Sequence, residues 1–232
     1  MIAILQQLLR YVHQPSLRPT LILTAGMPRS GSTWLYNTVR LLLESSLGHP
    51  DRLASGWIHD WPKLPQRETV LLKVHDFDVH LADRSRLILY SYRDIRDALA
   101  SSVRKFGTVP TLDLARKWLA QDQTWRNAAT FVMRYETMIH ARAQVCDQIA
   151  NALGIPCCPT NIIEQVQQLN CPSRTEYDPT TLLHPNHVTD GRHGTWRKWL
   201  SESLVKELEL EFREWFEVND YPLAFATSYS AS

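Results

Sequence analysis

Residues 24–34 read TAGMPRSGSTW, directly after the apolar run Leu21-Ile22-Leu23. A strand that breaks into a Gly-containing loop and then opens a helix exposes backbone N–H groups at the positive end of the helix dipole. That arrangement is an anion site. Loops for nucleoside triphosphates follow G-x-x-x-x-G-K-[ST], with the Lys on the terminal phosphates. Here Gly26 and Gly31 have the right separation, but Ser32 stands where the Lys belongs. The nearby cation is Arg29, ahead of the second Gly. The second and third apolar runs end in Lys73-Val74-His75 and Tyr92-Arg93-Asp94, not in apolar residues followed by an Mg²⁺-binding Asp. The stretch therefore predicts a phosphate-binding turn suited to a metal-independent anhydride rather than to a triphosphate.

Four runs rich in branched apolar residues, 20–24, 69–74, 86–92 and 130–135, have the unbroken character of strands buried on both faces. Between them lie amphipathic patterns over 32–47, 94–107, 111–128 and 135–154, and a last one over about 201–216. Strands alternating with helices predict an α/β fold, an open parallel sheet flanked by helices. Residues 170–194 lack any period, and a loop of that length is usually functional; it is expected to form a lid at about 170–195.

The chain has 232 residues, which one domain over 1–232 accommodates. Lys plus Arg number 25 against 24 Asp plus Glu, a balance that gives no support for nucleic-acid binding. The apolar start, MIAILQQLLRYVHQ, is broken by Gln6, Gln7 and Arg10, so an amphipathic helix capping the core is expected rather than a signal peptide or membrane span. Cys146, Cys157, Cys158 and Cys171 show no metal-binding spacing. They read as reduced thiols of a cytoplasmic protein, and no metal site is expected.

Lys73 and His75, two apart at a strand end, are expected on one side of the sheet edge where α/β folds bind ligands. The imidazole can accept a proton and the Lys can stabilise negative charge. Arg93, with Ser101 eight residues on, can grip a second phosphate; such an Arg also pairs commonly with a carboxylate, here Asp94 or Asp97. Trp34 and Tyr135 can line a purine, or belong to the core.

In this order PRSGSTW (28–34), KVH (73–75) and Arg93-Asp94-x-x-Asp97-x-x-x-Ser101 resemble the PAPS-dependent sulfotransferase family. Its signatures are P-[KR]-S-G-[ST]-[ST]-[LW], K-x-H and R-[ND]-x-x-D-x-x-x-S. Tyr135-Glu136 matches a further Tyr-Glu pair. The resemblance implies a P-loop-like sulfotransferase fold and transfer of a sulfuryl group from 3′-phosphoadenosine 5′-phosphosulfate (PAPS) to a small-molecule hydroxyl or amine, leaving adenosine 3′,5′-bisphosphate. It assigns Arg29 to the 5′-phosphosulfate and the leaving oxygen, with Ser30, Gly31, Ser32 and Thr33 as further donors. Arg93 and Ser101 take the 3′-phosphate, Trp34 and Tyr135 the adenine, His75 the acceptor proton, and Lys73 the sulfuryl group in flight.

Near the C-terminus the family pattern R-K-G-x-x-G-D-W-K aligns on Gly191, Gly194 and Trp196, placing Thr189 and Asp190 at the two cationic positions. Arg192, His193 and Gly194 are then the candidates to complete the 3′-phosphate clamp. The family's dimer motif K-x-x-x-T-V-x-x-x-E is absent, which leaves the oligomeric state open. Acceptor contacts are expected from 48–68, 76–85 and 171–195, where Trp57, His59, Trp61, Phe77 and His80 are candidates. The rate is expected to rise with pH through the His75 ionisation, near ~6.5 unperturbed and moved down by Lys73. An atypical P-loop kinase and a nucleotide-binding module without turnover are the competing readings.

Overall fold

The central strand β1, Thr20–Gly26, is buried from Leu21 onward. A strand with no water on either face needs apolar side chains on both, which its unbroken apolar run supplies. The computed structural model describes residues 19–170, 173–185 and 191–225. β1 pairs in parallel with β3 (Thr69–Val74) on one side and β4 (Leu87–Tyr92) on the other. Beyond β3 lies β2 (Leu53–Trp57), and beyond β4 lies β5 (Phe131–Arg134), giving the order β2-β3-β1-β4-β5 with every pairing parallel.

The α/β architecture is the expected one, with one strand more than the four apolar runs announce. β2 lies inside 48–68, which the sequence presents as loop. It is a short edge strand in which only Ala54 and Gly56 are buried, so it lacks a run of large apolar residues.

In chain order the helices are α1 (Ser32–Leu47), α2 (Val79–Arg84), α3 (Ile95–Phe106), α4 (Leu112–Ala128), α5 (Tyr135–His140), α6 (Arg142–Leu153), α7 (Pro159–Gln168), α8 (Glu202–Glu211) and α9 (Arg213–Val218). Strand alternation sorts the core onto two faces. Ile22, Leu71 and Leu89 pack with Leu35, Val39 and Leu42 of α1 and with α6 and α7. Leu23, Val70, Leu72, Ile88 and Tyr90 pack on the other face around Trp125 of α4.

The helix expected over 135–154 is two helices, broken at Ala141 (φ −134°, ψ 48°). Helix propensity does not mark the break, because Ala is a good helix former. Packing does: α5 brings Tyr135 and Met138 against Gly31, whereas α6 lays Val145, Cys146 and Ile149 into the core. The C-terminal helical pattern likewise divides, at Phe212 (φ −109°, ψ 27°).

The expected N-terminal helix, Cys171, Thr189 and Asp190 lie outside the described residues. Cys146, Cys157 and Cys158 are free thiols. No helix among the described residues is long and apolar enough to cross a membrane.

α4 is locked to the sheet by a buried carboxylate. Asp122, 1% exposed, accepts from the Tyr90 hydroxyl (2.7 Å), the Trp215 indole N–H (2.9 Å) and Arg126 Nε (2.8 Å). One turn on, the Trp125 indole N–H donates to the His75 carbonyl (2.9 Å), so the same helix fixes the end of β3. Removing one partner of a buried ionic group leaves the others unpaired, at ~3–5 kcal/mol. Asp122→Ala should lower unfolding stability by about that amount in urea titration. A variant as stable as the parent would show that the freed donors reach water.

Candidate active site

The loop after β1 is shaped by close contact. Met27 N–H donates to the Ser91 carbonyl (2.9 Å), tying the loop to β4. A Cβ on Gly26 would meet Ser91 Oγ at 2.5 Å and Ser32 Cβ at 2.6 Å, so only Gly closes the turn. Arg29 (φ 66°) and Gly31 (φ 80°) are both left-handed. For a residue such as Arg this costs roughly 1–3 kcal/mol and persists only where the surroundings over-determine it, most often at functional sites. Gly31 precedes α1 with no side chain capping the helix, which suits its first turn to an anion.

Ser30 differs from its neighbours in the loop. Its hydroxyl is fully buried on the Ser91 carbonyl (3.0 Å) and Ser91 Oγ (2.7 Å), and its N–H donates to Met27 O (3.2 Å). Both Ser30 donors are engaged within the loop and β4. Gly31, Ser32, Thr33 and Trp34 do line the cavity that the loop borders.

Lys73 and His75 open into that same cavity, as strand alternation requires. Lys73 is paired in register with Trp57 of β2, and its ammonium sits 4.9 Å from the Trp57 ring centroid. The His75 ring meets Trp57 edge-on at 5.1 Å. His75 Nδ1 lies 2.6 Å from the Gly26 carbonyl. A carbonyl only accepts, so Nδ1 carries the proton and Nε2 is left with its lone pair. Burial, and then the charge of Lys73, push the imidazole pKa down to about 3. This moves the ionisation expected near 6.5 far below neutrality. Burial, and then Arg29, lower Lys73 to about 7, and burial, followed by Arg93, lowers Arg29 to about 10.

Arg93 is 2% exposed at the end of β4. Its guanidinium lies 4.0 Å from the Tyr135 ring centroid and donates to the Arg192 carbonyl (2.6 Å) and the Arg29 carbonyl (3.4 Å). Its Nε is buried with no hydrogen-bond partner among the described residues. Asp94 pairs with Arg96 instead, while Asp97 stands 3.8 Å from Arg93. Ser101 accepts from Arg29 Nε at 3.0 Å, so the loop cation leans toward the hydroxyl assigned to the other phosphate.

The C-terminal candidates divide. Gly191 lines the cavity, whereas the exposed His193 ring rests against His140, Nε2 to Nε2 at 3.2 Å. Arg192 contributes its carbonyl to Arg93, and Gly194 N–H donates to Asp97 (2.5 Å). Neither Arg192 nor His193 nor Gly194 borders the cavity.

The cavity holds about 730 Å³ at the C-terminal ends of β1, β3 and β4, where open α/β sheets bind ligands. Arg29, Lys73, Arg93, Ser101, Trp34 and Tyr135 all line it, and among the described residues no Asp or Glu is in its wall. Sequence reading missed Phe106, which Arg29 covers at 5.6 Å from the ring centroid, and His184. Both were hidden in segments that carry no motif. The described part of the expected lid is pinned down: the Tyr36 hydroxyl donates to Thr180 O (3.0 Å), Asn37 Nδ2 to Thr181 O (2.8 Å) and Lys105 Nζ to Pro185 O (2.5 Å). A second cavity of about 430 Å³ shares only Trp57 and His75 with the first, and Trp61, Phe77, His59 and His80 line it.

No protein-family model matches the sequence, and no curated protein sequence does. Solved structures match its shape. Retinol dehydratase in complex with androsterone and inactive cofactor PAP aligns with a TM-score of 0.63 at 15% identity, over 90% of this chain and 83% of that one. Retinol dehydratase with retinol and PAP gives 0.59 at 16%, over 86% and 82%. Mouse sulfotransferase SULT7A1 complexed with PAP gives 0.64 at 16%, over 87% and 85%. Identity this low carries the architecture and leaves the chemistry to be argued from the site. The chain has the sulfotransferase fold, a parallel five-stranded sheet flanked by helices, shared with proteins crystallised with PAP.

Proposed function

We propose that the protein is a cytoplasmic PAPS-dependent sulfotransferase that moves a sulfuryl group to a hydroxyl or amine of a small molecule. The observation that carries this reading is one cavity lined by Arg29, Lys73, Arg93, Ser101 and His75, with no carboxylate in its wall among the described residues. Such a site is built for a polyanion. An Mg²⁺-dependent kinase would need carboxylate oxygens to hold its metal beside the phosphates, so the donor set favours the sulfotransferase over the kinase.

The residues fit the nucleotide. Arg93 lines the cavity, and its Nε is a buried donor with no hydrogen-bond partner among the described residues. Gly31 leaves a cradle that a Cβ would fill, 3.0 Å from the Tyr135 ring. Arg93 and Ser101 would hold the 3′-phosphate, the loop from Arg29 to Thr33, less Ser30, the 5′ group, and Trp34 with Tyr135 the adenine. PAPS supplies a sulfuryl group activated on a phosphosulfate anhydride. Lys73 and Arg29 neutralise negative charge where it develops, and fixed donors of this kind usually supply the largest share of catalysis. His75 Nε2, with its tautomer set by Gly26, accepts the proton of the acceptor group. Retinol dehydratase is known with androsterone and with retinol; here the acceptor is taken only as a small molecule.

Calorimetry with adenosine 3′,5′-bisphosphate in metal-free buffer, against ATP with Mg²⁺, tests the reading. Labelled sulfate transfer to a panel of acceptors completes it. Tighter binding of ATP with Mg²⁺ would replace it with the kinase, and nucleotide binding without any transfer would favour a binding module.

Arg93→Ala should weaken adenosine 3′,5′-bisphosphate by about 1.5–3 kcal/mol, the strength of a charge-assisted bond, and adenosine 5′-phosphosulfate far less. Equal losses would remove Arg93 from the 3′-phosphate.

His75→Asn retains an N–H for the Gly26 carbonyl but loses the basic nitrogen. Turnover should fall by ~10²-fold or more with nucleotide affinity kept. Near-normal turnover would assign the base elsewhere.

Lys73, lowered to about 7, is a cation below that pH and neutral above it. The kcat/KM profile should therefore decline as pH rises through neutrality, with no rising limb near 6.5. Lys73→Arg, which stays charged, should move the decline at least two pH units upward, since Arg ionises above ~12. A decline at the same pH in Lys73→Arg would assign it to another group.

A further inference from the structure

Resting on the nucleotide reading above, we infer that Asp97 is the positioning residue of the 3′-phosphate site, aiming Arg93 through the backbone of the turn at 191–196. Asp97 is 1% exposed in the first turn of α3 and faces that turn. Its Oδ2 accepts from Gly194 N–H (2.5 Å) and its Oδ1 from Trp196 N–H (3.0 Å), with the Thr195 hydroxyl at 3.5 Å. The turn held this way presents the Arg192 carbonyl to Arg93 Nη2 at 2.6 Å. Asp97 itself is 3.8 Å from Arg93, too long for a hydrogen bond, so the geometry is transmitted by the carbonyl.

The turn brings backbone to the site and no cationic side chain. Arg192 and His193 are exposed and border no part of the cavity, and the His193 ring is against His140. A single guanidinium then has to be aimed accurately. The Arg192 carbonyl, the Arg29 carbonyl and the Tyr135 face fix Arg93 on three sides, and its buried Nε has no hydrogen-bond partner among the described residues. Gly191 (φ 62°) and Gly194 (φ 73°) give the turn its left-handed shape. Hydrogen bonds tie the turn to α3 at the Asp97 carboxylate, beside Trp196, which packs on Ile95, Ala98 and Leu99 of α3.

Two roles for Asp97 predict opposite signs. As a mere counter-charge it would compete with phosphate for Arg93, and its neutralisation would tighten nucleotide binding. As the positioning residue, its replacement by Asn turns an amide N–H toward a backbone N–H, loosens the turn and misaims Arg93. Asp97→Asn should weaken adenosine 3′,5′-bisphosphate about tenfold or more, the size of one charge-assisted bond. Adenosine 5′-monophosphate, which lacks the 3′-phosphate, should change by less than about twofold on the same argument. Tightening, or parallel loss for both ligands, would overturn the inference.

A wild-type measurement covers the case of a variant that fails to fold. If Asp97 couples the turn to Arg93, the Gly194 and Trp196 amides should exchange more slowly with the 3′,5′-bisphosphate bound than with the 5′-monophosphate, by reciprocity of linked equilibria. Equal protection by both ligands would also overturn it. The nucleotide reading fails separately, in a wild-type protein that does not prefer the 3′,5′-bisphosphate over the 5′-monophosphate.

Discussion

Gly26 is the point at which strand, loop and imidazole meet. Its missing Cβ lets Ser91 and Ser32 approach to distances no side chain would permit, which brings the end of β4 and the start of α1 together. Its carbonyl then sets the His75 tautomer at 2.6 Å. Any residue larger than Gly would push apart the two elements that place Arg93 and Ser32, and would move the carbonyl that orients the His75 imidazole. The proposed anion site and proton acceptor therefore share one backbone position.

That placement gathers Arg29, Lys73 and Arg93 in one cavity with no carboxylate in its wall among the described residues. Desolvation and mutual repulsion both act against the cations, which is why Lys73 and Arg29 give up protons more readily than usual. The structure withstands this through ion pairs set behind the site. Arg96, 1% exposed, is held by Asp94 and Glu209 and lies 4.6 Å from both the Trp196 and Phe216 ring centroids. Glu209 accepts in turn from Ala224 and Phe225 N–H. Carboxylates close that layer, whereas the cavity gathers cations. An anion entering the cavity relieves the repulsion, so its binding and the protonation of Lys73 favour one another.

Much of this was legible in the sequence because it depends on side-chain type and spacing. The runs around Ile22, Leu71, Leu89 and Met133 announced four of the five strands, and α1 begins and ends at the residues its pattern marks. β2 was not legible: an edge strand reading Leu-Ala-Ser-Gly-Trp covers the sheet with small residues and one aromatic. The break at Ala141 was hidden for a related reason. Local propensity favours helix through it, and only the different packing partners of Tyr135 and Val145 require a bend.

The site divides along the same line. Arg29, Lys73, His75, Arg93 and Ser101 were singled out for groups that the amino-acid letter specifies, and all five line the cavity. Ser30 carries the right letter, but burial against Ser91 turns it inward, and no spacing argument contains that contact. The C-terminal turn is the harder case. Motif alignment looks there for cationic side chains, at Thr189 and Asp190 and then at Arg192 and His193, because cations are what a sequence can display. What the turn delivers to Arg93 is the carbonyl of residue 192, which every amino acid possesses. A contact made by the backbone has no letter. It shows in the sequence only through what shapes and holds that backbone: Gly191 and Gly194, which permit the turn, and Asp97, which fastens it.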